Sequence, residues 1–483
     1  MAGAGAVGVA TISFDSWISK ANAQPVRMRF DAMSDEGKEM LELYAIAVGA
    51  MRDKSKYPET DPMGWEWQFY THWIPGSRKD QEIDRIFGAG SSAEKMLAIA
   101  MWETCRGHSG GSVDWRSEKQ WFLPWHRMYV FYFETIVREV VRRETGREDF
   151  TLPYWDYTTA GKNFVPEEFR QPTDALYKSL YISNRNAAAN SGSLFDCGDN
   201  ASLAEANYAP GTASGGFNNT LDNGTHGTVH VQVGDLMNMG RIPFAANDPI
   251  FWLHHCNIDR FWASWNRAGR QNPTNSAWQD KTFTFFDGKT QIDTPTSAVT
   301  DIANMQYDYS TFLPVPPIPQ GVNAMAFLAA PQGGNAAADE EALSLVQGLS
   351  LESGVTNLRA QLPDPLLMGD AAGQEQRLYL VLNDLTTDEQ PGTIYNVYLG
   401  GIETAEGQDD TRLVGSINFF DAPLSGAETE GRGHAYSFDV TELVSELQAA
   451  GEIVNAPEVS IAPLGAPVED ATPFVGEVFF AFE

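Results

Sequence analysis

The stretch NDPIFWLHHCNIDRFW, residues 247–262, decides how the rest of the chain is read. Asp248-Pro249 can cap and open a helix, and the apolar residues after it keep helical spacing until Gly269. Inside that run stand two adjacent histidines, His254 and His255, where an imidazole without a partner is costly to bury. One buried histidine usually finds a carbonyl or a carboxylate. The chain holds eight, at positions 72, 108, 126, 226, 230, 254, 255 and 434, and seven of them precede residue 310.

Two further stretches carry histidines at meaningful places. LPWHRMYVFYFETIVREVVRRETG (123–146) has Pro124 suited to a first helical turn, Gly146 placed to stop it, and His126 one turn in. THGTVHV (225–231) sets His226 and His230 four apart, on one face of a helical turn. Gly227 stands where a zinc peptidase of the HExxH kind needs Glu, so that reading fails. Six histidines form two sets of three neutral imidazoles, which suit copper, zinc, iron or nickel and disfavour magnesium, calcium and iron–sulfur clusters. A hydrolytic dimetal site would call for carboxylates in the HxxxH segment, and none is there.

Outward from these helices the chain divides by period and charge. SDEGKEMLELYAIAVGAMRD (34–53), opened by a Ser34 cap, and SAEKMLAIAMWETC (92–105) also read as amphipathic helices. FLPVPPIPQGVNAMAFLAAPQGGNAAADEEA (312–342) has no sustained period and reads as a linker. Beyond it, QRLYLVLNDL, TIYNVYLGGI, RLVGSINFFD, EVSIAPLG and FVGEVFFAFE alternate as strands, with one helix in VTELVSELQAAG. The expected fold is a mainly α catalytic domain, a helical bundle around a two-metal site, followed by a smaller β-sandwich domain. The expected boundaries are 24–315, a linker over 316–350, and 351–483.

The formal charge of −31 follows the same division: residues 1–310 carry 38 acidic and 29 basic side chains, residues 311–483 carry 26 and four. Such acidity excludes nucleic acid and anionic membrane as partners. No run reaches the ~18 uncharged apolar residues that span a bilayer. Residues 1–23, ending Ala21-x-Ala23, resemble the remnant of an export signal, which implies a periplasmic or secreted protein; an ordinary N-terminus is the alternative. Three cysteines, Cys105, Cys197 and Cys256, make no disulfide framework.

FLPWHRMYVFYFE (122–134) and AANDPIFWLHHCNIDRFW (245–262), with HGTVH (226–230) upstream of the latter, resemble the two copper-binding signatures of the tyrosinase, catechol oxidase and hemocyanin family. LPYWDYTT (152–159) is a further family-like stretch, and LYLVLND and LVGSINFFD resemble the domain that follows the catalytic one in plant-type polyphenol oxidases. The resemblance implies two copper ions, with dioxygen as co-substrate. It assigns His72, His108 and His126 to copper A and His226, His230 and His255 to copper B. His254 and Phe251 become neighbours of the site. Asp259 is either a carboxylate orienting a ligand helix or imidazole, or a structural partner of Arg127 or Arg260. Cys105 in CRGH is a candidate for a thioether to His108, with an ordinary buried thiol as the alternative.

The same resemblance implies oxidation of o-diphenols to o-quinones. Monophenol hydroxylation needs a base near the first copper B histidine. Asp222 is the candidate here, where the plant-type pattern has Glu, and Gly227 stands in place of the Asn that helps orient a water. Val231 is expected at the entrance and Ile242 or Phe244 at the gate. The C-terminal domain is expected to act as an intramolecular lid, with AMAFLAA (324–330) as its plug. An o-aminophenol oxidase and a hemocyanin-like dioxygen carrier are the alternatives.

Overall fold

The computed structural model describes residues 11–14, 26–105, 120–198, 200–211, 213–235, 237–317, 346–351, 353–363, 377–402, 410–422, 434–452 and 456–483. It forms two compact units: Met1–Gly110, Gln120–Phe195 and Val233–Pro314 make the first, and Gly111–Lys119, Asp196–Gln232 and Val315–Glu483 the second. The longer helices are α1 (Asp35–Met51), α2 (Trp65–His72), α3 (Lys79–Phe87), α4 (Ala93–Met101), α5 (Phe122–Thr145), α6 (Gly227–Val233), α7 (Ile250–Arg267) and α8 (Thr441–Ala449).

The first unit is helical because its apolar periods are closed by local caps. The Ser34 hydroxyl accepts from the Gly37 N–H at 3.0 Å to start α1, and the Ser92 hydroxyl accepts from Lys95 at 3.1 Å to start α4. Gly146 ends α5 with φ +78°, a left-handed residue that glycine adopts without a Cβ penalty. At the head of α7 the Asp248 carboxylate accepts from Ile250 N–H at 3.1 Å and is held by Arg185 at 2.6 and 2.7 Å. Every residue of α5 from Phe122 to Glu134 is buried, as its aromatic density implies, and α5 packs on α1 and α7. Two small sheets complete this unit: β1 (Thr11–Ser13), β4 (Gln291–Pro295) and β3 (Thr282–Phe286) in the order β1-β4-β3, and β2 (Arg27–Arg29) beside β5 (Tyr307–Tyr309). Residues Thr11–Phe14, inside the stretch read as an export-signal remnant, thus have a place in the fold: β1 pairs with β4 and Phe14 is buried.

The second unit is a sandwich of two four-stranded antiparallel sheets. One has the order β10 (Leu413–Ile417), β9 (Tyr395–Leu399), β12 (Glu458–Pro463), β7 (Thr356–Arg359); the other β11 (His434–Asp439), β8 (Leu378–Thr386), β13 (Phe474–Phe482), β6 (Val346–Ser350). β6 lies within the span expected as linker. Alternation explains the core: Leu378, Leu380 and Leu382 of β8 face Val397 and Leu399 of β9, together with Ile461 and Val478. Tyr379 and Val381, pointing the other way, pack on Ala213. LYLVL is therefore apolar on both faces because both are covered. The cover is part of 196–232, which belongs to this unit although it precedes the linker in sequence. Glu483 clamps it, accepting from the Ala213 and Ser214 N–H groups at 3.0 and 2.7 Å and from the Ser214 hydroxyl at 3.0 Å.

Glu205, bonded to the Thr220 hydroxyl, lies near this clamp. Burial, reinforced by Glu483 and Asp439 and opposed by Thr220 and Arg377, pushes its carboxyl up to about 7. A raised folded value means that its contribution is fully present below the ordinary carboxylate range and is lost as pH rises through about 7. Glu205→Gln is expected to raise the melting temperature by a few degrees at pH 8 and leave it unchanged near pH 5. Equal shifts at both pH values would refute this.

Candidate metal centre

In the first unit, His72 ends α2, His126 sits in the second turn of α5, and His255 lies in the second turn of α7. All three are buried. The rings of His126 and His255 stack at 4.2 Å and 9°, and His72 lies 6.1 Å from His126. Aromatic residues wall them in. Phe251 is 4.1 Å from His255 and 5.1 Å from His72, and Phe122 is 4.5 Å from His126. The neighbouring His254 is also buried, but its ring turns 74° from that of His255 and stands 5.5 Å from Tyr157. α7 therefore presents its two histidines differently, as a 100° step between successive helical residues requires.

The ligand atoms of His72, Cys105 and His126 lie within 4.8 Å of one another. His108 falls outside the described residues, and so does any link between it and Cys105. Cys105 is buried, and so is Cys256, whose thiol burial pushes up to about 12.

His226 and His230 belong to the second unit. Asp222–His226 forms a π-helical turn, kinked at Gly224, that runs into α6 and brings the two imidazoles to 4.6 Å. The Asp222 carboxylate lies 3.1 Å from His226 Nδ1. Phe420, from the turn after β10, stacks on His230 at 4.1 Å and 11° and meets His226 edge-on at 5.8 Å. The expected plug 324–330 lies outside the described residues. Val231 is buried in α6, while Ile242 and Phe244 are half-buried on the short helix Ile242–Ala245 of the first unit.

The donor chemistry fits a copper centre. His126 Nδ1 is 2.9 Å from the Phe122 carbonyl and His226 Nδ1 is 2.9 Å from the Asp222 carbonyl. A carbonyl can only accept, so Nδ1 carries the proton and Nε2 the lone pair, the usual support of a metal-binding imidazole. Buried imidazoles are nitrogen donors that suit copper, as they also suit zinc, iron or nickel.

Asp259 sits in a buried ion-pair network. Its carboxylate pairs with Arg127 and, at 3.2 Å, with Arg29, and accepts the Tyr307 and Tyr309 hydroxyls at 2.5 Å each. Arg260 goes instead to Asp156 at 3.0 Å. Burial opposes the Asp259 charge, but Arg127 and Arg29 overcome it and hold the group below its ordinary value. Arg127 follows His126 and Asp259 lies one turn beyond His255, so the pair fixes the register of the two histidine helices. Arg29 extends it to Glu134 at 2.8 Å. Arg29, Tyr307, Tyr309 and Phe420 carried no sequence signal of their own, since each acts through a contact distant in the chain.

Residues 102–211 and 167–268 match the model of the common central domain of tyrosinase, and 337–478 match a domain of unknown function, DUF7868. A tyrosinase of Hahella sp. (strain CCB-MM4) is 31% identical over 366 residues, which cover 68% of this chain and 74% of that protein. A chloroplastic polyphenol oxidase of Malus domestica is 24% identical over 372 residues, 68% of this chain and 62% of that one. In fold, a latent apple tyrosinase matches over 95% of this chain and 97% of its own, with a TM-score of 0.61 at 18% identity. Among the described residues no helix is long and apolar enough to cross a membrane.

Proposed function

The chain belongs to the tyrosinase family and is a copper phenol oxidase, and from that premise we propose that it oxidises o-diphenols to o-quinones under control of its C-terminal domain. The observation that carries the reading is the buried His72–His126–His255 group behind aromatic walls. By the family's pattern His72, His108 and His126 hold one copper and His226, His230 and His255 the other. Bound there, the copper pair supplies the redox chemistry that passes electrons from the phenol to dioxygen. The chain's own part is to hold the His126 and His226 imidazoles by their Nδ1–H bonds, to keep water out with Phe122 and Phe251, and to admit a flat ring.

Asp222 argues for diphenol over monophenol chemistry. Its carboxylate lies against His226 Nδ1, where it orients that imidazole. Gly227 adds no amide that could hold a water for proton transfer. A catechol, which is oxidised without prior hydroxylation, makes no such demand.

Phe420 gives the lid reading its contact. Its ring covers His230, so substrate reaches that face only when the ring leaves. Phe420→Ala gives up a buried ring worth about 2–3 kcal/mol, and full-length protein should gain about tenfold or more in catechol turnover without proteolysis. Oxygen uptake by copper-loaded protein, with a catechol and separately with its matching monophenol, tests both parts. Uptake with catechol alone supports the reading and uptake with both revises the role of Asp222. Uptake with neither by the copper-loaded Phe420→Ala protein overturns it in favour of a dioxygen carrier or an aminophenol oxidase. Export remains part of the proposal, with Ala21-x-Ala23 as its motif.

A further inference from the structure

We infer that Gly227 is the keyhole of the C-terminal domain: the missing side chain at this position admits Asn418, and Asn418 seats Phe420 on the histidine pair. The inference rests on the lid reading above and names the residues that would control it.

Gly227 has φ −62° and ψ −38°, an ordinary helical conformation open to any residue. Inside a helix glycine is less favourable than alanine, so its presence needs a reason other than backbone geometry. That reason is crowding. A Cβ at 227 would lie 2.6 Å from Asn418 Oδ1, 2.9 Å from its Nδ2 and 3.1 Å from its Cγ.

Asn418 cannot easily give way. It is fully buried, its Nδ2 donates to the Asn223 carbonyl at 2.7 Å, and its Oδ1 accepts the Phe420 N–H at 3.1 Å. Its own N–H donates to the Tyr436 hydroxyl at 2.9 Å, and that hydroxyl lies 2.9 Å from the Asn223 carbonyl. Asn223 returns a bond from its Nδ2 to the Ala435 carbonyl at 2.7 Å. The π-helical turn that delivers His226 is thus held from β11 and from the residues after β10. The Phe420 N–H is fastened to the same amide, so displacing Asn418 displaces the ring on His230. A side chain at 227 and a seated lid exclude each other.

The test uses full-length, copper-loaded protein in four forms: Gly227→Ala, Asn418→Asp, the double variant Gly227→Ala/Asn418→Gly, and Phe420→Ala. Gly227→Ala adds only the Cβ. Asn418→Asp keeps the shape but sets a carboxylate oxygen against the Asn223 carbonyl. Both are expected to raise catechol turnover about tenfold, the effect of losing one buried hydrogen bond at the lid, and to speed chymotryptic cleavage within 316–350, which holds Phe327 and Leu328, by a similar factor at unchanged copper content. The double variant relieves the crowding but lacks both Asn418 side-chain bonds, so it should stay active and cleavable; its return to latency would refute the seating of Phe420 by Asn418. Should Gly227→Ala and Asn418→Asp stay latent and protease-resistant while Phe420→Ala or cleaved wild type is active, the keyhole is refuted and the lid stands. No activation by Phe420→Ala or by cleavage would refute the lid itself. If Gly227→Ala loses copper or unfolds, Asn418→Asp still decides.

Discussion

Asp259→Ala is expected to destabilise the protein by about 3–5 kcal/mol, the cost of leaving buried charges without their counter-ion. Arg127 and Arg29 are both fully buried and would face the gap, and the Tyr307 and Tyr309 hydroxyls would lose their acceptor. Against a total stability of about 5–15 kcal/mol, that loss removes about a fifth or more. Because Arg127 adjoins His126 and Asp259 follows His255 by one turn, copper retention should fall together with the denaturation midpoint. The pH dependence carries a sign. Arg127 and Arg29 hold Asp259 below its ordinary value against the pull of burial, so its contribution is present above the usual carboxylate range and disappears as pH falls through the lowered value. The variant's stability curve should be flatter on its acid side. Urea denaturation of both proteins between pH 3 and 7 measures this, and a wild-type midpoint in the variant would refute the register role.

His255→Ala is expected to lose bound copper and to lower catechol turnover by more than the 10- to 100-fold that removal of an outer partner of a metal ligand costs. His254→Ala, one residue away, should keep both coppers and most of the activity. The two positions make the comparison sharp, for both are buried on the same helix and differ in direction: the His255 ring stacks on His126, while His254 turns to Tyr157. Copper per chain, measured by atomic absorption, separates them. Loss of copper from His254→Ala with retention in His255→Ala would invert the assignment.

The sequence determined what depends on neighbours along the chain. Helical period, the Ser34 and Ser92 caps, the stop at Gly146 and the i, i+4 pair His226–His230 all follow from residues within a few positions of one another, and the structure holds each of them. The change from helical to strand period marked the two kinds of fold for the same reason. Family membership was legible too, since the signature residues cluster in three short stretches.

What only the tertiary structure decided depends on residues far apart in sequence. Asp259 could face Arg127 or Arg260 on spacing alone, and packing gave it Arg127 and Arg29. Segment 196–232 precedes the linker, yet it joins the C-terminal sheets because Tyr379 and Val381 bury their outer face on Ala213. NFFD read as the end of a strand, and nothing local told that Asn418 would fill the space beside Gly227 or that Phe420 would cover His230. A period states which face of an element is buried; only the folded chain, by matching shape and hydrogen bonds across some 190 residues, states against what.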